Sequence, residues 1–160
     1  IYISYNPQFD VIKYLTIHPK IIVYDQDFNQ EQLAQFYNSM DIQVLPTKGE
    51  AFSMNLAEGM ACGKTCIATN FSGHLDYCLP EFTFLIDLAK FEVAHYGLYD
   101  IEAGTRWAVP SVKHLQELMR YCFDNPDEVR KKGEKARKHI HDNYTWKQSA
   151  FKMFEVLNNA

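Results

Sequence analysis

Two glutamates, Glu50 and Glu58, are separated by seven residues and flank the point where an apolar run ends. That run, residues 42–45, predicts a buried strand, and the residues from Met54 onward predict a helix. In an open α/β sheet, ligands bind at the carboxyl ends of strands, beside the first turns of the helices that follow. The unpaired N–H groups of such a turn carry roughly half a positive charge, which favours phosphate. The segment between the glutamates therefore predicts a ligand site.

The chemistry of this segment suits a nucleotide sugar. Glu58 lies in the first two turns of the predicted helix, where side chains lean toward the N-terminus. Its two carboxylate oxygens can accept hydrogen bonds from a vicinal diol such as a ribose. The N–H groups at the helix start can bind a diphosphate, and Glu50 would face the sugar beyond it. Those N–H groups belong to Ala51, Phe52, Ser53, Met54 and Asn55. Spacing alone also allows a second interpretation, in which Glu50 is a solvated loop residue and Glu58 is an exposed or capping residue of the helix.

Strands and helices alternate along the first half of the chain. The β-branched and apolar runs predict strands at residues 1–5, 21–24, 42–45, 65–69 and 83–86. Helices are predicted at residues 9–15, at residues 30–39 after the cap Asn29, and at residues 54–62 before the left-handed turn at Gly63. This alternation indicates an α/β protein with a doubly wound parallel sheet.

The second half is predicted to be mostly helical. Residues 87–109 show no clear periodicity, which predicts a loop or irregular excursion. Helix starts are predicted at Ser111, at the Asn125-Pro126 pair and at Thr145, where Gln148 completes a capping box. The apolar residues of the last helix are expected to pack onto the body, with some exposed: Trp146, Phe151, Phe154 and Leu157.

Composition narrows the class of protein. The 160 residues fit one domain, and 47% of them are hydrophobic. A net charge of −4 argues against nucleic acid as a partner. No stretch approaches the roughly 18 apolar residues of a membrane span, and no signal peptide is visible, so we expect a cytoplasmic protein. The cysteines lack a CxxC spacing and no histidine pairs with them, which predicts reduced thiols and no metal: Cys62, Cys66, Cys78 and Cys122.

Other polar residues have two interpretations each. His74 could approach a ligand or be a loop residue without a chemical role. The basic run from Arg130 to Lys138 could touch anionic lipid, although nearby acids favour a solvated helix face over membrane association. His139 and His141 lie on this helix and are predicted to be solvated.

The wider context of the glutamates resembles the signature of retaining GT-B glycosyltransferases, the family that includes sucrose-phosphate synthases and mannosyltransferases of lipid and polysaccharide assembly. Its pattern, which contains the EX7E motif, reads P-S-x-x-E-G-F-G-x-x-x-x-E-A-M-A-C-G-x-P-V-I-A-x-x-x-G-G. The matching residues are Pro46, Glu50, Phe52, Glu58, Met60, Ala61, Cys62, Gly63, Ile67, Ala68 and Gly73, with Gly59, Cys66 and Ser72 at related positions. The lead-in at residues 31–41 and the helices after residue 107 are also similar, so the resemblance covers the chain from about residue 21.

The resemblance implies a Rossmann-like fold, the C-terminal half of a GT-B enzyme. Residues 1–160 would form a single, partial domain that binds the donor nucleotide sugar, without the N-terminal acceptor domain or the strand carrying the Arg and Lys that neutralise the diphosphate. It further implies that Glu58 binds the ribose, residues 51–55 bind the phosphates and donor sugar, and Glu50 stabilises an oxocarbenium-like transition state. Tyr24, with Asp25 and Phe28, would lie against the base.

By the same resemblance, the full-length protein would be a retaining hexosyltransferase that needs no metal and no other cofactor. Its partners would be the nucleotide sugar, the missing N-terminal domain and an unknown acceptor, which could be a glycan, a lipid or a small molecule. This chain alone should be inactive. The alternatives are a non-catalytic nucleotide-sugar-binding or assembly module of GT-B fold and a sugar-nucleotide epimerase. A phosphorylase would need a pyridoxal-phosphate lysine, and Lys64 is poorly placed for that role.

The chain departs from the family pattern at several positions. Ala51 and Ser53 stand where the pattern has two glycines, and both are small enough to allow close backbone approach. Gly59 replaces an alanine inside the helix, at a cost of about 1 kcal/mol in helix propensity. Lys64 and Thr65 replace the usual entry to the next strand.

Overall fold

A computed structural model describes residues 27–94 and 105–159. The elements are α1 (Gln30–Ser39), β1 (Ile42–Leu45), α2 (Met54–Ala61), β2 (Thr65–Thr69), a 3₁₀ helix (Gly73–Asp76), β3 (Phe84–Ile86), β4 (Leu88–Val93), β5 (Arg106–Pro110), α3 (Val112–Asp124), α4 (Pro126–Asn143) and α5 (Trp146–Asn158). The predicted strands at residues 1–5 and 21–24 and the predicted helix at residues 9–15 lie outside the described residues. Within the described ranges, no helix is both long and apolar enough to cross a bilayer.

The chain groups into two units, Ile1–Leu33 and Ala34–Ala160. In the first, Asn29 caps the start of α1 as predicted, because its Oδ1 accepts a hydrogen bond from the N–H of Gln32 at 2.9 Å. Gln32 Oε1 in turn accepts one from the N–H of Asn29, which completes a reciprocal cap. The second unit holds the described strands.

The three predicted strands of the second unit form a parallel sheet in the order β1-β2-β3. Helix α2 connects β1 to β2, which is the crossover that parallel neighbours need. All five residues of the central strand β2 are buried. The structure therefore confirms the α/β class, a parallel sheet with helices packed on it.

Two apolar clusters pack on the sheet, and the side chains of β2 alternate between them. One cluster contains Cys66 and Ala68 of β2 with residues of α2 and α4. The other contains Ile67 of β2 with residues of β3, α3 and α4. Because clusters cover both faces of the sheet at β2, every residue of this strand is buried.

Helix boundaries follow the predicted capping residues. At the end of α2, Gly63 has φ +79°, its N–H donates to Met60 O, and the N–H of Lys64 donates to Gly59 O. These two bonds make a Schellman motif, which requires a residue in the left-handed conformation. The predicted caps at Ser111 before α3 and at Thr145–Gln148 before α5 are also present. Asn125 precedes α4 as predicted, but its side chain makes no capping hydrogen bond to that helix.

Two predictions about the second half were wrong. Residues 87–109 are not irregular throughout, because β4 and β5 pair as an antiparallel hairpin with a register shift between Leu88 and Lys90. The shift and the exposed side chains break the alternation that would reveal a strand in the sequence. The last helix does not pack its apolar residues onto the described part of the chain, since Trp146, Phe151 and Phe154 are at least 60% exposed.

The cysteines are free thiols, as predicted. Cys66, Cys78 and Cys122 are buried and Cys62 is half-buried. Burial is the main reason that the pKa of Cys122 rises to about 11, and it also raises the pKa of Cys62. Both shifts keep the thiols of Cys122 and Cys62 protonated at neutral pH.

The structure explains Gly59, where the family pattern has alanine. A Cβ at this position would collide with Oε1 of Gln43, whose Nε2 donates to Asn55 O at 3.1 Å. The Gln43 amide lies beneath α2 and ties β1 to the start of that helix. Glycine leaves room for this amide, which the Cβ of an alanine would displace.

Gly59→Ala is therefore expected to destabilise the protein by about 1 kcal/mol, although helix propensity alone would favour alanine by a similar amount. Chemical denaturation would measure the free energy of unfolding. Gly49→Ala is the matched control, because a Cβ there meets nothing within 4 Å. In a Gln43→Ala background the same substitution at Gly59 should become stabilising, and a stabilising single variant would contradict the packing argument.

Candidate functional site

The loop after β1 carries Glu50 and is held by the segment after β2. The N–H of Glu50 donates to Ser72 Oγ at 3.0 Å, and Ser72 Oγ donates back to the carbonyl of Glu50. The N–H of Gly73 donates to the same carbonyl at 3.0 Å, and a Cβ on Gly73 would collide with Ala51 O. The Glu50 backbone is thus clamped, while its side chain is half-buried at the surface.

Two serines adopt positive φ angles where the family pattern has glycine. Ser53, which precedes α2, has φ 66°, and Ser72 has φ 92°. Side chains disfavour both conformations, and such residues persist only where their surroundings hold them. Ala51, the other replacement of a glycine, is not among the residues with positive φ. Of the two replaced glycines in the loop, only the one at Ser53 stands where the backbone favours glycine.

A run of unpaired N–H groups lies between the two glutamates. Within residues 27–94 and 105–159, no acceptor is found for the N–H groups of residues 51–55. Ala51, Phe52 and Met54 are exposed, Asn55 is half-buried and Ser53 is buried. Asn55 Oδ1 accepts from the N–H of Leu56 and from Ser53 Oγ, which satisfies the next donor of the helix. The free donors are therefore concentrated in the five residues that the sequence predicts to bind phosphate.

Glu58 lies on the second turn of α2 and is half-buried. The Tyr37 hydroxyl, from α1, donates to Glu58 Oε2 at 3.1 Å. This contact restrains the carboxylate and leaves Oε1 without a partner among the described hydrogen bonds. The carboxylate is thus oriented and still able to accept hydrogen bonds from a ligand.

The hairpin β4–β5 supports the loop from its other side. The N–H of Ala108 donates to Lys48 O at 3.2 Å, and Lys48 Nζ lies 5.5 Å from the centre of the Trp107 ring. Lys48 also pairs with Glu92, and the hydrogen bond from Lys48 is the main reason that the pKa of this carboxyl is lowered. Residues that the sequence analysis assigned to an irregular excursion therefore help to position the loop before Glu50.

Comparison with known proteins identifies the family. Residues 6–89, just over half of the chain, match the family described as glycosyl transferases group 1. The chain belongs to the glycosyl transferases group 1 family. No curated protein sequence matches the chain.

Solved structures confirm the predicted fold, a Rossmann-like half of the GT-B architecture. A sucrose-phosphate synthase from Thermosynechococcus elongatus superposes with a TM-score of 0.73 at 18% identity, covering 99% of this chain and 37% of that protein. A glycosyltransferase from Rickettsia africae ESF-5 gives a TM-score of 0.68 at 22% identity, covering 92% of this chain and 34% of that protein. The chain thus spans about a third of the length of these two proteins.

Some predicted residues are not part of the site that the structure describes. Tyr24 and Asp25 lie outside the described residues, so their contact with a base stays a prediction. His74 is completely buried, with Nε2 2.7 Å from Thr69 O and Nδ1 without a partner in the described part. His74 therefore supports the end of β2 from within the core. His139 is half-buried against the Phe82 ring, so its predicted solvation was wrong.

The described part of the chain has no candidate metal site, and a cleft in it lies away from both glutamates. In the described ranges, no group of three or more His, Cys, Asp or Glu side chains could hold a metal ion. A cleft of about 640 Å³ lies at the opposite ends of the strands, where Ile42 begins β1 and Lys64 precedes β2. It is lined mainly by these strand ends, α3 and α4, and contains neither glutamate.

The sequence analysis missed the residues that hold the site. Tyr37, Gln43 and Tyr77 lie 21, 12 and 24 or 25 residues from the groups they bind. Nothing in their local sequence marks these contacts. The one available signal was at Ser72 and Ser53, where serine replaces a family glycine and therefore needs a compensating interaction.

Ser72→Ala is expected to destabilise the protein by about 1–3 kcal/mol, because it removes two hydrogen bonds to Glu50 and keeps a side chain at positive φ. Ser72→Gly should cost about 1 kcal/mol less, because glycine accepts that conformation. Urea unfolding would compare both with Ser39→Ala, whose hydroxyl makes an exposed bond to Phe36 O. Equal effects of the alanine variants at positions 72 and 39 would disprove the clamp.

Proposed function

We propose that this chain is the donor-binding part of a retaining glycosyltransferase that uses a nucleotide-diphosphate sugar. The observation that carries the proposal is the run of N–H groups at residues 51–55 that have no acceptor in the described part of the chain, between the half-buried carboxylates Glu50 and Glu58. The run lies after β1, at the carboxyl end of the parallel sheet. Donor N–H groups flanked by two carboxylates match a ligand with a central anion and hydroxyl groups on both sides.

The diphosphate would lie over the start of α2. Each charge-assisted hydrogen bond to a phosphate contributes about 1.5–3 kcal/mol, and the helix terminus adds about 0.3–1 kcal/mol. Glu58 would accept hydrogen bonds from the ribose hydroxyls through the oxygen that Tyr37 leaves free. This arrangement selects a nucleoside diphosphate over a nucleoside or a bare sugar.

Glu50 would face the transferred sugar. Ser72 and Gly73 hydrogen-bond to its backbone, which fixes the position from which the carboxylate extends. A carboxylate there stabilises positive charge that develops on the anomeric carbon as the bond to the diphosphate breaks. The acceptor would be bound by the remainder of a longer protein, since this chain spans about a third of its structural relatives. The proposed reaction uses no metal or other cofactor.

Binding is tested by calorimetric titration of this chain with UDP, GDP and ADP. A ligand at a hundred times its dissociation constant should also stabilise the fold by about 2.7 kcal/mol. Selective binding of one nucleotide would support the proposal and identify the donor class. If none of the three binds either this chain or its full-length protein, the proposed function fails.

Glu58→Ala is expected to weaken binding of the preferred nucleoside diphosphate by about 1–3 kcal/mol, since a charged hydrogen-bond acceptor is lost. Glu134→Ala is the matched control, because Glu134 is an exposed carboxylate on α4. Calorimetry would measure both dissociation constants. An affinity that Glu58→Ala leaves unchanged would rule out the ribose contact.

Glu50→Gln is expected to lower kcat of the full-length protein by about 100-fold or more while the KM for the donor changes little, because the charge acts mainly in the transition state. Steady-state kinetics with the nucleotide sugar identified above would measure both. A change in KM with an unaltered kcat would assign Glu50 to ground-state binding instead.

A further inference from the structure

Tyr77 connects the core to the loop between the two glutamates. It follows the 3₁₀ helix Gly73–Asp76 and is 0% exposed. Its ring packs against the ring of Phe52 with centroids 4.9 Å apart and against the ring of Tyr144 at 5.7 Å. The hydroxyl lies 2.7 Å from the carbonyl oxygen of Phe52 and 2.6 Å from that of Ser53. No other described side chain hydrogen-bonds to either carbonyl.

The Tyr77 hydroxyl must be the donor in this contact. Carbonyl oxygens only accept hydrogen bonds, so the one phenolic hydrogen is shared between two acceptors. Burial is the main cause of a raised pKa at Tyr77, which keeps the phenol protonated throughout the physiological range. The contact therefore persists wherever the protein is folded.

The two carbonyls belong to the peptide groups that set the direction of the phosphate-facing donors. The described chain contains no cis peptide bond, and in a trans peptide the N–H points away from the C=O. The Phe52 carbonyl shares its peptide group with the N–H of Ser53, and the Ser53 carbonyl shares its group with the N–H of Met54. Because both carbonyls face the buried hydroxyl, both N–H groups face away from it.

Ser53 also adopts a backbone conformation that side chains disfavour. Its φ of 66° lies in the left-handed region, and its carbonyl accepts the first two helical hydrogen bonds, from Leu56 N at 3.1 Å and Ala57 N at 3.3 Å. A relaxed Ser53 would redirect the donors and loosen the first turn of α2 together. The Tyr77 hydroxyl thus acts at Ser53, whose backbone conformation determines both the direction of the donors and the first turn of α2.

We propose that Tyr77 is a positioning residue for the donor loop: its hydroxyl holds Ser53 in the left-handed conformation and so directs the N–H groups of Ser53 and Met54 outward. Its consequence for ligand binding rests on the proposed function. Its consequence for the loop does not, because the contacts exist without a ligand.

Tyr77→Phe tests the inference, with Tyr144→Phe as its matched control. Tyr144 belongs to the same ring cluster, and its hydroxyl donates to Asp76 O at 2.7 Å instead of to the loop. Without ligand, amide hydrogen exchange at Leu56 and Ala57 should become about 5- to 10-fold faster in Tyr77→Phe and change less than about twofold in Tyr144→Phe. Equal exchange in the two variants would overturn the proposal.

Ser53→Gly provides a second test, because it separates a specific effect of Tyr77 on the Ser53 conformation from a general loss of stability. Glycine adopts φ 66° without strain, so Tyr77→Phe should change the exchange of Leu56 and Ala57 less than about twofold in this background. Circular dichroism would establish that each variant is folded. The same large effect of Tyr77→Phe in both backgrounds would disprove the link to the Ser53 conformation.

Nucleotide affinity completes the test. The nucleoside diphosphate that the unsubstituted chain binds best among UDP, GDP and ADP should bind Tyr77→Phe about tenfold more weakly, and Tyr144→Phe within about twofold. If neither this chain nor its full-length protein binds any of them, the donor site is refuted, while the exchange comparison still decides the role of Tyr77. Exchange that responds while affinity does not would restrict Tyr77 to stabilising the loop and overturn its role in the site.

Discussion

The site depends on a loop whose backbone is held at two points by the segment that follows the neighbouring strand. Ser72 and Gly73 bind the peptide groups of Glu50, and Tyr77 binds the carbonyls of Phe52 and Ser53. The loop follows β1, and the segment that holds it follows β2. Because parallel neighbours end at the same edge of a sheet, the pairing of β1 with β2 brings the two segments together. Without that pairing, the positive φ angles of Ser53 and Ser72 would have nothing to hold them.

The helix after the loop is fixed by a different set of buried polar contacts. Gln43, on β1, donates to the carbonyl of Asn55 and occupies the space beside Gly59. Tyr37, on α1, donates to Glu58 one residue earlier in α2. The start of α2 is thus bound to the sheet, while Glu58, the residue proposed to bind ribose, is bound to the neighbouring helix α1. The departure from alanine to glycine inside α2, which costs helix propensity, is offset by the contact that the missing side chain permits.

Of the elements beyond β3, the hairpin β4–β5 supports the site and the last helix, α5, does not. The hairpin β4–β5 reaches back to Lys48 through a backbone hydrogen bond, an ion pair and the Trp107 ring. Helix α5, in contrast, buries none of its residues in the described structure, although its sequence is rich in large apolar side chains. Apolar residues along a helix indicate that burying them is favourable, but neighbouring elements determine whether a surface is present to cover them.

The sequence by itself determined the elements whose signals are local. The caps at Asn29, Ser111 and Thr145, the left-handed Gly63 and the apolar runs of β1 to β3 each act within a few residues, and the structure confirms all of them. The EX7E motif likewise located the candidate carboxylates, since both lie on one strand–loop–helix unit. Only the tertiary structure decided which groups hold that unit, because Tyr37, Gln43, Ser72 and Tyr77 meet it across 12 to 25 residues of chain. Such contacts arise from strand pairing and helix packing, and no local pattern of residue types encodes them.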